Sequence, residues 1–206
     1  MPRPTPKSSC ASTYDHAHFE RLYTDHVDPW SVLTSSYERD KFQATMDAME
    51  KDRYEHILEL GCSIGGLTRH LASRCNALTA VDTSGIALQR AREWCAQPHV
   101  RFVQAHLPDG DWDANYDLIV LSEVLYYFPI PALVRLAERV SRIATPSTEF
   151  VVVHWTGETD YPLSGDRATE LFQCLLRAQL RSRVRHPAYR LETWSVPRQE
   201  EADLEA

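Results

Sequence analysis

The chain predicts a doubly wound α/β fold: a mostly parallel, seven-stranded sheet with helices on both faces and N-terminal helices capping the ligand edge. Three observations predict it. Short apolar runs alternate with stretches of helical period from residue 52 onward, the pattern of strands joined by crossover helices. Runs such as YDLIVL (116–121) and EFVVVHW (149–155) are apolar nearly throughout, as in strands covered on both faces. A glycine-rich turn follows the first strand and an acidic residue ends the second; in such sheets ligands bind beyond the carboxyl ends of the strands.

Each element has its own signal. Residues 15–50 read as helix in at least two pieces broken near Asp28-Pro29, the first with Phe19, Leu22 and Tyr23 at helical spacing, the second with Phe42, Met46 and Met49. HILEL (56–60) is a strand, IGGLTRHLASR (64–74) a helix, ALTAV (77–81) a strand, SGIALQRAREWCA (84–96) a helix and VRFVQA (100–105) a strand. The strand at 116–121 leads to an amphipathic helix over 131–144, with Leu133, Leu136, Val140 and Ile143 on one face and Pro146 as its stop. The strand at 149–155 leads to a helix over 167–180, and RSRVRH and YRLETWSV, on either side of Pro187, close the sheet as a hairpin. Domain organisation follows: a mobile N-terminus at 1–12, one domain at 13–197 (a helical cap to 51, an α/β core from 52) and a mobile acidic tail at 198–206.

Composition narrows the function. The 206 residues hold 22 Lys and Arg against 29 Asp and Glu, a net charge of -7. A protein built to grip nucleic acid needs a basic face, so a neutral or cationic partner fits better and no nucleic-acid partner is expected. No apolar run is long enough to span a membrane, and the N-terminal segment lacks the apolar core of a secretory signal. Five cysteines with no C-x-x-C pair predict reduced thiols, a cytoplasmic location and neither zinc site nor disulfide framework. Asp15-His16-x-His18 has no partners at ligand spacing, so no metal is expected. Oligomeric state leaves no trace in the sequence.

The chemistry concentrates in ELGCSIGG (59–66) and AVDTS (80–84). Gly61 permits a tight turn; Gly65 and Gly66 allow backbone to approach a ligand and a helix to pack close. Asp82, 21 residues after Gly61, can accept hydrogen bonds from both ribose hydroxyls. Cys62 and Thr83 stand in the same two loops. The nucleoside is a dinucleotide or S-adenosylmethionine. Glu59 would repel a pyrophosphate but suits a cation, and Ser63 fills the slot where dinucleotide loops need their second glycine, so both residues favour the methyl donor.

At these residues the chain resembles the class I methyltransferases, whose first motif is acid-x-Gly-x-Gly-x-Gly; ELGCSIG (59–65) departs from it only at Ser63. The resemblance implies that Asp82 holds the ribose, that Ala105-His106-Leu107 flanks the adenine, with His106 where an acid is usual, and that Ser122-Glu123-Val124 faces the reacting methyl. The segment YDHAHFERLYTDHVDPWSVLTSSYERDKF (14–42), followed by YEHILELGCSIGGLTRHLA, is similar to the NodS family of rhizobial nodulation N-methyltransferases. That similarity implies an S-adenosylmethionine-dependent enzyme, releasing S-adenosylhomocysteine, which methylates the free amine of a de-N-acetylated chitooligosaccharide during Nod factor synthesis.

Further candidates lie around this motif. Trp30 and Tyr37, in the cap, are expected to reach the cofactor, where an aromatic face attracts a sulfonium. Glu123 is the residue expected to orient the acceptor amine and help remove its proton. Tyr126, rather than Tyr127, is read as lining a sugar cleft, and His154, at the end of the fifth strand, as a proton acceptor or sugar ligand. The Asn/Asp-Pro-Pro-Tyr motif of DNA-base and amide methylation is absent from 122–125. Rival readings are a methyltransferase of another small amine or carboxylic acid, an NAD-dependent oxidoreductase, and a silent cofactor-binding module.

Overall fold

The structure is a computed structural model that describes residues 14–197; the expectations for the two terminal segments, and for Cys10, lie outside them. Two helices, α1 (His16–Asp25) and α2 (Ser36–Asp47), precede the strands β1 (Tyr54–Leu60), β2 (Cys75–Asp82) and β3 (Val100–Gln104), which are joined through α3 (Thr68–Ala72) and α4 (Gly85–Trp94). Then come β4 (Leu118–Ser122), α5 (Ile130–Ile143), β5 (Glu149–Trp155), α6 (Gly165–Leu176), β6 (Gln179–Arg185) and β7 (Tyr189–Ser195). The sheet order is β3-β2-β1-β4-β5-β7-β6. The first five strands are mutually parallel, and β7 runs antiparallel to both its neighbours.

Period-two alternation sorts the core onto two faces. Ile119 and Leu121 of β4 pack with Leu133, Leu136 and Val140 of α5 and Phe172 of α6. Leu118 and Val120 face the other way, towards Phe42 and Met46 of α2 and Leu71 of α3. Helices thus cover both sides, as the continuous apolar strands require.

Element boundaries moved where backbone chemistry overrides periodicity. The expected helix at 64–74 begins only at Thr68, because Gly65 takes φ +84° and the preceding residues form the ligand turn. The expected helix at 167–180 stops at Leu176; Arg177 adopts a left-handed conformation (φ 51°) and β6 starts two residues later. The break between the N-terminal helices spans ten residues, 26–35. There the Asp28 carboxylate accepts the Val32 and Leu33 N–H groups, four and five residues on, and so satisfies backbone donors that lie outside a helix.

Candidate active site

The carboxyl ends of β1, β2, β3 and β4 open onto one cavity, roofed by α1 and the segment leading into α2. Its empty space is about 950 Å³, mouth included, ample for a nucleoside-sized ligand. Gly61 turns out of β1 at φ +83°, and a Cβ there would lie 2.8 Å from Val124 Cγ2. Ser63 follows with φ 53°. Its place in a glycine slot has a structural cause: its N–H donates to Asp82 Oδ2 at 2.8 Å, and its hydroxyl meets Tyr23 Oη at 2.6 Å. Asp82 also accepts the Ser84 N–H at 2.9 Å on Oδ1. Burial pushes its pKa up, against the pull of the Ser84 and Ser63 N–H groups.

The cap is fastened to this turn. Glu20 of α1 accepts from the Ser84 hydroxyl and the Gly85 N–H at 2.9 and 2.8 Å, and His16 Nδ1 lies 2.9 Å from the Thr83 carbonyl. Asp15 and His18, weighed above as metal ligands, cap α1 through the His18 N–H. These contacts bring Phe19, Tyr23 and Trp30 to the cavity wall.

Two buried polar atoms in the wall are orphaned. Glu59 is 1% exposed, and its Oε2 has no hydrogen-bond partner among the described residues. Burial drives its pKa up to about 8. The Thr68 hydroxyl, near enough to pull the other way, makes no bond of normal geometry. Trp30 Nε1 likewise has no acceptor. One atom awaits a donor and the other an acceptor, a demand that an α-amino acid meets with its ammonium and carboxylate.

At the end of β4, Glu123 lines the cavity with φ 56°. Its Oε2 accepts the Tyr126 hydroxyl at 2.6 Å and the Trp155 N–H at 2.9 Å, and its Oε1 accepts Lys41 Nζ at 2.6 Å. Lys41 also pairs with Glu38 at 2.9 Å, and Glu38 lines the same wall. Among the described residues the wall contains four carboxylates, those of Glu38, Glu59, Asp82 and Glu123, and neither Lys nor Arg.

Of the residues expected from sequence, Trp30, Glu59, Gly61, Cys62, Asp82 and Thr83 line the cavity. So do His106, Leu107 and Glu123. Four do not. Tyr37 faces away, packing on Trp155, His186 and Tyr189, because the α2 face that bears it covers β5 and β7. Gly65 serves packing: a Cβ would lie 3.1 Å from Ala91 of α4. Tyr126 is fully buried, and its hydroxyl holds Glu123, whereas Tyr127, set aside from sequence, lines the wall. His154 is fully buried beneath the turn after β4. Its Nε2 accepts the Val124 and Leu125 N–H groups at 3.3 and 3.0 Å, and burial lowers its pKa to about 4. Neutral at this pKa, it supports the turn and does not line the cavity.

Sequence reasoning missed Glu38 and Lys41. The available signal was weak: Glu38, Lys41 and Thr45 fall on one stripe beside the apolar Phe42 and Met46, and such a stripe reads equally well as a solvated face.

This fold, with its glycine turn and Asp82 on one cavity, is the fold of the class I S-adenosylmethionine-dependent methyltransferases. The family model described as Nodulation protein S (NodS) matches residues 15–148, and the chain belongs to that family. Nodulation protein S of Rhizobium tropici is 32% identical over 112 residues, 53% of this chain and 47% of that protein. The Bradyrhizobium diazoefficiens protein of the same name is 33% identical over 105 residues, 48% of this chain and 49% of that one. The match thus spans about half the length of these curated relatives. The structure of N-methyltransferase NodS from Bradyrhizobium japonicum WM9 in complex with S-adenosyl-L-homocysteine superposes with a TM-score of 0.78, at 19% identity, over 89% of this chain and 99% of that one. No helix among the described residues is long and apolar enough to cross a membrane.

Proposed function

We propose that this chain is an S-adenosylmethionine-dependent N-methyltransferase acting on the free amine of a de-N-acetylated chitooligosaccharide, in Nod factor synthesis. The observation that carries the amine reading is the acidic lining of the wall, where Glu38, Glu59, Asp82 and Glu123 stand with neither Lys nor Arg among the described residues. With Glu59 holding a proton and Lys41 offsetting one charge of the Glu38–Glu123 pair from behind, the lining keeps a net negative charge, which attracts ammonium and sulfonium groups and repels a carboxylate or phosphate acceptor. The oligosaccharide is supported by family membership alone.

The residues fit the methyl donor. Asp82 would accept the ribose hydroxyls, Glu59 the amino-acid ammonium, and the Trp30 N–H would donate to the carboxylate; His106 and Leu107 would flank the adenine. When bound, the donor supplies a sulfonium methyl: the N–C bond forms as the C–S bond breaks, leaving S-adenosylhomocysteine. The protein orients and screens. Positive charge builds on the acceptor nitrogen during transfer, and a carboxylate at the end of β4 stabilises it. Glu123, held by three donors, is suited to orient the amine by accepting its N–H. The proton leaves to water once the amine is seated.

The test is transfer of a radiolabelled methyl group to chitotetraose carrying a free terminal amine, beside the fully acetylated sugar. Label on the free-amine sugar alone is expected, with Glu123→Gln losing about 10²-fold or more in kcat/KM. Label on neither sugar, with S-adenosylhomocysteine still bound, would overturn the acceptor.

A further inference from the structure

Lys41 is fully buried on α2, outside the cavity lining. Burying an ammonium costs several kcal/mol unless it is paired and hydrogen-bonded. Here Nζ lies 2.9 Å from Glu38 Oε2 and 2.6 Å from Glu123 Oε1, and 5.0 Å from the centre of the Tyr37 ring. Both carboxylates line the cavity and Lys41 does not, so the cation acts from behind the wall. It also joins two elements far apart in sequence, α2 and the turn after β4.

The backbone shows what the clamp opposes. Glu123 sits at φ 56°, a left-handed region that strains a non-glycine residue. With Lys41 on one oxygen and Tyr126 and the Trp155 N–H on the other, the carboxylate is fixed in direction. Without the ammonium, Glu38 and Glu123, held 2.9 and 2.6 Å from Nζ, would be left as like charges with no cation between them.

We infer that Lys41 is a positioning residue for methyl transfer: its ammonium clamps Glu38 and Glu123 into a two-carboxylate seat for a cationic acceptor amine. The inference rests on the N-methyltransferase reading above. Glu38 thereby becomes an acceptor-binding residue, and it binds the amine before transfer. Lys41 never touches substrate; it keeps Glu123 aimed while charge builds on the nitrogen.

Three variants test this with the full chain, labelled methyl transfer to the free-amine chitotetraose, and calorimetry with S-adenosylhomocysteine. Lys41→Met should lower kcat by about 10²-fold and leave cofactor-product affinity unchanged. Glu38→Gln should raise KM for the amine sugar by about tenfold, the worth of one charge-assisted hydrogen bond, with little change in kcat. The double variant Lys41→Met/Glu38→Gln should recover kcat by about tenfold over Lys41→Met, because it removes the repulsion the single variant creates. Should the single variant fail to fold, the double variant is read against the wild type, with kcat expected about tenfold lower and a kcat equal to the wild type overturning the inference. A merely structural lysine predicts losses that add. Unchanged kcat in Lys41→Met, or a double variant no better than the single, would overturn the inference while leaving N-methylation standing. A wild-type chain that methylates no free-amine sugar would overturn the reading beneath it as well.

Discussion

Glu59 is a carboxyl group folded into a place that disfavours its charge. Burial lifts its pKa to about 8 from an ordinary 4.5, so at neutral pH the ligand-free site holds a proton there. A cation placed beside it reverses the balance and expels that proton. Calorimetry of S-adenosylhomocysteine binding at pH 7, in buffers of different ionisation enthalpy, should show proton release by the wild type. Glu59→Gln should abolish the release and weaken binding by about 1.5–3 kcal/mol, the value of a hydrogen bond to a charged group. Equal proton release in both proteins would remove Glu59 from the ammonium position. The acid was readable in the sequence from its place two residues before Gly61. Its protonation was not, because desolvation depends on what α2 and α3 stack above it.

Between elements, the turn after β1 packs closely on the turn after β4 where Gly61 meets Val124. A methyl group added there meets Val124 Cγ2 at 2.8 Å on a backbone with φ +83°. Gly61→Ala should therefore destabilise the fold by about 1–3 kcal/mol and displace Val124, a wall residue, so urea unfolding and cofactor-product affinity should worsen together. Retained affinity at lowered stability would separate the turn from the site. Order, type and face of the elements were legible, since continuous apolar strands and 3.6-residue stripes are local signals. The end of β4 was legible only in part. Tyr126 and Tyr127 are adjacent and identical in type, and a 3-10 turn at Leu125–Tyr127 decides which one meets the cavity. The burial of His154 and the turning away of Tyr37 likewise depend on long-range packing under β5 and β7. Lys41 shows the same limit: a lysine on a helix next to a glutamate is usually solvated, and only the position of the β4 turn seals it in.

For the whole molecule, two buried groups set opposing pH slopes. His154 binds its proton at about 4 in the folded chain against an ordinary 6.5, so its contribution is full above 6.5 and is lost as pH falls towards 4. Glu59 titrates at about 8 against 4.5, so its contribution is full below 4.5 and is lost as pH rises towards 8. Between 4.5 and 6.5 the two effects oppose each other. Melting temperature measured against pH should show a broad maximum in that window. His154→Gln should flatten the acid limb and Glu59→Gln the alkaline one; a profile that rises steadily to pH 8 would contradict the Glu59 assignment, and one that falls steadily from pH 4 the His154 assignment. The sheet order carries a different consequence, in time rather than pH. Strand β7 is made after β6 yet lies between β5 and β6. On the ribosome, the edge of β5, with Phe150, Val151 and Val152, therefore stays uncovered while α6 and β6 emerge, and since β6 pairs with β7 and, among the described strands, with no other, the two reach that edge together as a hairpin.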